Sequence, residues 1–440
     1  MIDLIFAIFL ISFLFLILLT NVEFFFFINL VSVLIFSALR LDPSTPIVSL
    51  FGIALYIKDI FFFSLIAFII VFFFKKIFEG EKIYNSNHFK IPFFIFFIIT
   101  IKVFLSWPLY GTSAFLSAKH MVYFFSNVLF FSIYPLSNNR LWNFYKNIFA
   151  VSIIYSLVGI FRIFGFLPSI YSNTSSSLNF ATNYNSLRYF DRSDLEVLIV
   201  GALIIFIVFL KSSKNKFLLL STLCFFSALI LFSNTRSAML SYIFVIGFFM
   251  LRNNPFFNKI NISLSILIIF ILAQLSNPLI FLESIFGSAF SIDNLFGEQS
   301  TLIFRNIVSL AYISHMNSLS YVVGMNFGDA PLVFPELFFT NIPGHGFVGL
   351  HSTYVELIYY FGLPLFIFLM ILYRKIFENL SKLRKNNRET KLSTISFLSS
   401  LFYMIFFLFW TFDQFSGMVI GLSLATIKNF KNDINSNNLD

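Results

Sequence analysis

The feature that most constrains this chain is a succession of apolar runs, each about as long as a bilayer is thick and broken only by short polar stretches. A hydrocarbon core of about 30 Å needs roughly 17–25 helical residues to cross it. Runs that meet or approach this length are Leu4–Thr20, Phe24–Leu39, Ile60–Phe74, Ile91–Trp107, Met121–Leu136, Trp142–Phe164, Leu195–Leu210, Phe217–Phe232, Ser237–Leu251, Ile262–Leu275, His351–Tyr373, Leu392–Trp410 and Phe415–Ile427. A shorter stretch, Ile47–Ile57, reads as a further span or a re-entrant piece. The runs are continuously apolar rather than alternating, which argues against a transmembrane β-barrel. The expectation is an all-α, polytopic membrane protein of about 12–14 transmembrane helices, with a large extracytoplasmic loop that contains short helices.

Charge is scarce, at 11% of the 440 residues, where soluble chains carry about 25%. The net charge of +9 is accounted for by basic cytoplasmic loops, so nucleic acid is not expected as a partner. Phe, at 70 residues, largely replaces Leu as the lipid-facing residue. The single cysteine, Cys224, excludes an internal disulfide and a cysteine-built metal centre. The apolar start lacks a basic leader region and a small-residue cleavage site, and reads as a retained first helix.

Lys and Arg set the orientation. Lys75, Lys76 and Lys82; Lys211, Lys214 and Lys216; Arg252 and Lys259; the group from Arg374 to Lys391; and Lys428 with Lys431 all fall on one side when the spans between them are counted. That side is expected to be cytoplasmic. The chain then divides into an N-terminal set of spans (1–275), an extracytoplasmic loop (276–350), a C-terminal set of spans (351–428) and a cytoplasmic tail (429–440).

Basic groups on the outer side work against insertion preference and therefore call for a partner. Lys102, Lys119, Arg162, Arg188, Arg192, Arg236 and Arg305 are placed there. An anionic ligand would suit them, because a guanidinium grips phosphate through a planar fork. Neighbouring Asp or Glu, or lipid headgroups, would serve equally. Three segments sharpen the question. Ser233-Asn-Thr-Arg-Ser237 joins two spans and sets Arg236 at a helix N-terminus, a favourable place for an anion. Phe304-Arg305-Asn306 opens an amphipathic, interfacial stretch with Val308, Ala311 and Tyr312 at helical spacing, ending near Gly324 and Gly328. His351 opens the span after the long loop, where an imidazole can take a proton from a hydroxyl at neutral pH; His345 is its rival, and Gly362 follows.

Arg236 in its Ser-bounded turn, Arg305, Gly324 and Gly328, and then His351 with Gly362, taken in order and on one side, resemble the O-antigen ligase/polymerase family. Arg188-Tyr-Phe-Asp-Arg192 resembles that family's earlier outer-loop arginine segment. The likeness covers roughly residues 180–375. It implies a bacterial cytoplasmic (inner) membrane enzyme that transfers glycan from an undecaprenyl-diphosphate-linked oligosaccharide, with membrane lipids and a chain-length regulator as partners and with neither metal nor cofactor. Arg236, Arg305, Arg188 and Arg192 would hold the diphosphate and glycan, and His351 would orient or deprotonate the acceptor hydroxyl. A polymerase of lipid-linked repeats is the preferred form. A ligase onto lipid A–core and a secondary transporter or flippase remain as alternatives.

Overall fold

The computed structural model describes residues 2–38, 48–50, 53–79, 87–167, 192–211, 215–232, 236–252, 309–329, 352–385, 391–408 and 412–436. These residues are overwhelmingly helical. In chain order the helices are α1 (Ile2–Thr20), α2 (Val22–Ala38), α3 (Ile57–Phe78), α4 (Asn87–Tyr110), α5 (Thr112–Ile133), α6 (Asn138–Ile163), α7 (Arg192–Lys211), α8 (Lys216–Phe232), α9 (Arg236–Arg252), the single turn α10 (Ser320–Val323), α11 (Thr353–Lys385), α12 (Lys391–Phe406) and α13 (Gln414–Ser436). A further helical stretch covers 309–315.

Within these residues, α3, α4, α5, α6 and α11 are long and apolar enough to cross a membrane. Five shorter apolar helices of 10–17 residues accompany them. Large side chains such as Phe9, Phe104, Leu105 and Phe217 are exposed on this surface. Water would not tolerate such a surface, whereas hydrocarbon does, so the chain is a helical membrane protein. The segment Ile47–Ile57 is not a span. Its residues β1 (Val48–Leu50) and β2 (Ile53–Leu55) pair as antiparallel strands, with Ser49 opposite Ala54.

The helices run up and down, which gives the bundle two distinct ends. One end gathers the termini that carry Lys75, Lys76, Lys211, Lys216, Lys391 and Lys428. There Arg140 pairs with Glu23 (3.6 Å) and Lys428 donates to the Ser132 carbonyl (3.3 Å). The opposite, distal end holds the starts of α3, α5, α7, α9, α11 and α13. Helix packing inside the bundle relies on close approach and on hydroxyls, as expected where no hydrophobic effect separates protein from lipid. At Gly417 of α13 a methyl group would lie 2.4 Å from the Phe124 carbonyl oxygen of α5. Tyr145, Ser396 and Thr426 link α6, α12 and α13 through 3.1 Å contacts, and Ser400 donates to Ser423 at 3.0 Å.

Candidate functional site

The distal end is organised around a break in α11. Pro364 has no N–H to offer the Tyr360 carbonyl one turn earlier, and Gly362 leaves helical geometry at φ 75°. The freed carbonyl finds another donor: the Lys102 ammonium of α4 bonds to the oxygens of Tyr360 and, at 2.8 Å, Val323. The Phe361 ring lies 5.6 Å from the same ammonium. Lys102 therefore answers backbone carbonyls freed by the break, and unpaired polar groups are costly in apolar surroundings.

A second glycine turn meets this break. Gly324, at φ 76°, ends α10. A methyl group there would stand 2.2 Å from the Tyr360 oxygen, and one on Gly362 would stand 2.4 Å from the Val322 oxygen. Only glycine fits either position. Residues 323–328 then climb along α4: Met325 N–H donates to the Tyr359 carbonyl (2.6 Å), Phe327 N–H donates to Ser106 Oγ (3.0 Å), and Gly328 sits against Tyr110. Asn317 begins the excursion by accepting from the backbone and hydroxyl of Ser320, at 2.8 and 2.7 Å. Among its described residues, the amphipathic stretch expected to end near Gly324 holds two helical pieces, 309–315 and Ser320–Val323.

This docking carries Asp329 to the side chains that precede the turn. His315 Nε2 lies 3.3 Å from Asp329 Oδ1, and the two side chains remain 39% and 23% exposed. Tyr110 lies close to Asp329. The Tyr359 ring stacks on His315 at 6.4 Å and meets the Tyr312 ring edge-on at 4.7 Å. The buried Tyr359 hydroxyl has no hydrogen-bond partner among the described residues. Glu356, also buried, lies one turn before Tyr360. Burial, reinforced by the nearby Glu356 carboxylate, raises the Tyr312 hydroxyl well above its ordinary range, so it stays a donor. The result is a half-open His–Asp pair walled by tyrosines. Such a pair can take a proton from a hydroxyl, and flat aromatic faces with polar edges suit a ring that is apolar on one side and polar at its rim.

The residues expected from sequence fall into two groups. His351, His345, Arg305 and Arg188 lie outside the described residues. Of Arg192 and Arg236 only the backbone is described; they open α7 and α9, both at the distal end. The other cations expected on the outer side, Lys102, Lys119 and Arg162, are engaged by protein. Besides Lys102, Lys119 pairs with Asp59 at 2.8 Å and sits 4.6 Å over the Tyr56 ring. Asp59 in turn accepts from the Tyr56 N–H at 2.7 Å and so caps α3. Arg162 Nη1 pairs with Asp194 at 3.0 Å, with both side chains 1% exposed. For Lys102, Lys119 and Arg162 an anionic ligand is therefore not required, and neighbouring protein groups account for their position.

His315, Asp329, Tyr359 and Tyr110 were not foreseen. The usable signal was Gly324, Gly328 and Gly362, which stand out in the sequence, but nothing local says that the turns they make face one another. A scan against protein-family models finds no match for this chain, and a search of characterised proteins also finds none.

Proposed function

We propose that this protein is a polymerase of lipid-linked surface polysaccharide repeats. It would transfer glycan from an undecaprenyl-diphosphate donor to an acceptor sugar hydroxyl at the outer face of a bacterial inner membrane. In this reading the chain makes about 12–14 spans, the distal end is extracytoplasmic, and residues 276–350 form the outer loop. The observation that carries the reading is the tyrosine-walled His315–Asp329 pair, at the same end as the start of α9, where Arg236 lies, and the start of α11, two residues beyond His351. Aromatic walls fit sugar faces, and a His–Asp pair fits a hydroxyl acceptor. Arginines at helix starts fit a departing diphosphate without a divalent ion.

The test is the surface-glycan ladder of a deletion strain complemented with variants. Arg236→Ala, Arg305→Ala and His351→Ala should each abolish long glycan at unchanged protein level, and His345→Ala should do less. A His351→Ala strain with full-length chains would remove that residue from the chemistry. The deletion itself separates polymerase from the ligase alternative: a lost polymerase leaves core plus one repeat, and a lost ligase leaves bare core.

One observation favours a transporter as the second reading. Transporters place broken helices beside buried charge, and α11 breaks at Gly362 with the Lys102 ammonium against it. Substrate uptake into vesicles, in the absence of any glycan ladder, would support that reading.

A further inference from the structure

The lysine-rich end of the bundle gathers cations that its described acids do not balance. Lys75 and Lys76, in the last turn of α3, both use one carboxylate, Glu79, at 3.7 and 3.8 Å. Lys76 also stands 5.7 Å from the Phe72 ring, and Phe72 meets the Tyr134 ring just past the end of α5. Lys428 of α13 reaches the same end of α5, where it donates to the Ser132 carbonyl at 3.3 Å. Arg140, which touches the Tyr134 hydroxyl, is matched by Glu23 at 3.6 Å.

Lys428 is the member that protein groups leave unanswered. It is half-buried, it pairs with no carboxylate among the described residues, and the charge that acts on it is another cation, Lys76. Burial first, and then that repulsion, pull its pKa below the ordinary lysine value. The Ser132 carbonyl belongs to the last turn of α5, whose unpaired oxygens form the negative end of the helix dipole. That dipole accounts for one ammonium. It carries no net charge, and it gives no reason for holding Lys75 and Lys76 beside Lys428. An anion with several oxygens does, because each ammonium offers three donors and charge-assisted bonds to phosphate are strong.

The surface next to the cluster says which anion fits. Val71, Phe74, Lys75 and Phe78 recur at i, i+3, i+4 and i+7, so they share one face of α3. The apolar members are 50%, 54% and 86% exposed. A soluble anion has no use for that stripe. A phospholipid has: its phosphate would meet the lysines while its acyl chains follow Phe74 and Val71 into the hydrocarbon. Basic sites between helix ends at a membrane surface suit anionic lipid heads in this way. We propose that Lys75, Lys76 and Lys428, with the α3 stripe beside them, bind the phosphate of one anionic phospholipid. Occupancy of this site is independent of the glycan-transfer reading, which concerns the opposite end.

The experiment is thermal unfolding of the purified full-length protein in dodecyl maltoside at fixed ionic strength. Dioleoyl phosphatidylglycerol, dioleoyl phosphatidylcholine and sodium phosphate are added in separate arms. Phosphatidylglycerol should raise the Tm by about 2 °C or more beyond phosphatidylcholine, and free phosphate should not. The rise should vanish in Lys76→Gln/Lys428→Gln and persist in Lys391→Gln, which removes an exposed cation at the start of α12 on the same end. If the double variant does not fold, Lys75→Gln/Lys76→Gln, at the more exposed edge of the cluster, takes its place. The proposal is overturned by any of four results. Phosphatidylcholine may match phosphatidylglycerol, which would mean hydrocarbon cushioning alone. Free phosphate may give the same shift, which would mean a soluble-anion site. The shift may survive the double substitution, or Lys391→Gln may remove it equally, which would mean diffuse surface charge.

Discussion

Two of the acid–base pairs at the distal end, nearly equal in length, belong to different kinds of structure. Arg162 and Asp194 are 3.0 Å apart and each is 1% exposed, between the end of α6 and the start of α7. His315 and Asp329 are 3.3 Å apart but 39% and 23% exposed, and they are brought together by a folded-back segment rather than by two helices. Ion-pair distance alone does not separate a structural pair from a reactive one. Burial and the rigidity of the supporting elements do. In the dry pair both charges are held away from water between two helices, so the pair is locked. The open pair keeps access to water and to a ligand.

The largest effect should come from breaking the locked pair. Asp194→Ala is expected to cost about 3–5 kcal/mol, the range for deleting one partner of a buried pair, and to appear as lost protein in the membrane and a sharply lower Tm in detergent. Gly324→Ala comes next. It forces a Cβ onto a backbone at φ 76°, 2.2 Å from the Tyr360 oxygen. Strain and overpacking together suggest about 2–4 kcal/mol. The damage should stay local, so limited proteolysis should expose 309–329 while the helical bundle remains resistant. Lys102→Met follows at about 1.5–3 kcal/mol, the value of a charge-assisted bond, with Lys102→Arg milder. If Lys102→Met loosens the bundle rather than the 309–329 segment, the ammonium has a wider role than joining Val323 to Tyr360.

The contrast between the two pairs also marks how far the sequence could be read. Helix existence was legible because the apolar runs are long; helix ends were not. The run Met121–Leu136 became Thr112–Ile133, because Lys119 stops a hydropathy window but not a helix once Asp59 neutralises it. The run ending at Tyr373 continues to Lys385, because Ile376, Phe377 and Leu380 still face the core while Arg374 pairs with Glu378 at 2.8 Å on the exposed side. The hairpin at Val48–Leu55 was ambiguous because strands of three residues carry too little pattern to distinguish them from a short re-entrant piece. For the site, the three described cations that the sequence placed on the outer side, Lys102, Lys119 and Arg162, meet protein groups rather than requiring an anionic ligand. Which partner each takes depends on tertiary neighbours: Lys119 and Asp59 are 60 residues apart, and Lys102 and Tyr360 are 258 apart. His315 and Asp329 become neighbours only because the Gly324 turn seats against the Gly362 break.

The smallest stability effect and the sharpest discrimination belong to Asp329→Ala. A half-exposed pair is screened by water, so its loss should shift unfolding by less than about 1 kcal/mol, well short of Asp194→Ala. The partner of Asp329 is a histidine that can turn to solvent, so no dry charge is stranded. If the open pair serves glycan transfer, the surface-glycan ladder should still fall by about 10-fold or more, in line with a group that sets the state of a proton acceptor, and His315→Ala should fall with it. The converse result, a Tm loss as large as that of Asp194→Ala with an intact ladder, would make both pairs structural. The tyrosine-walled cluster would then be a packing device for the broken α11, and the chemistry would have to be sought elsewhere at the distal end.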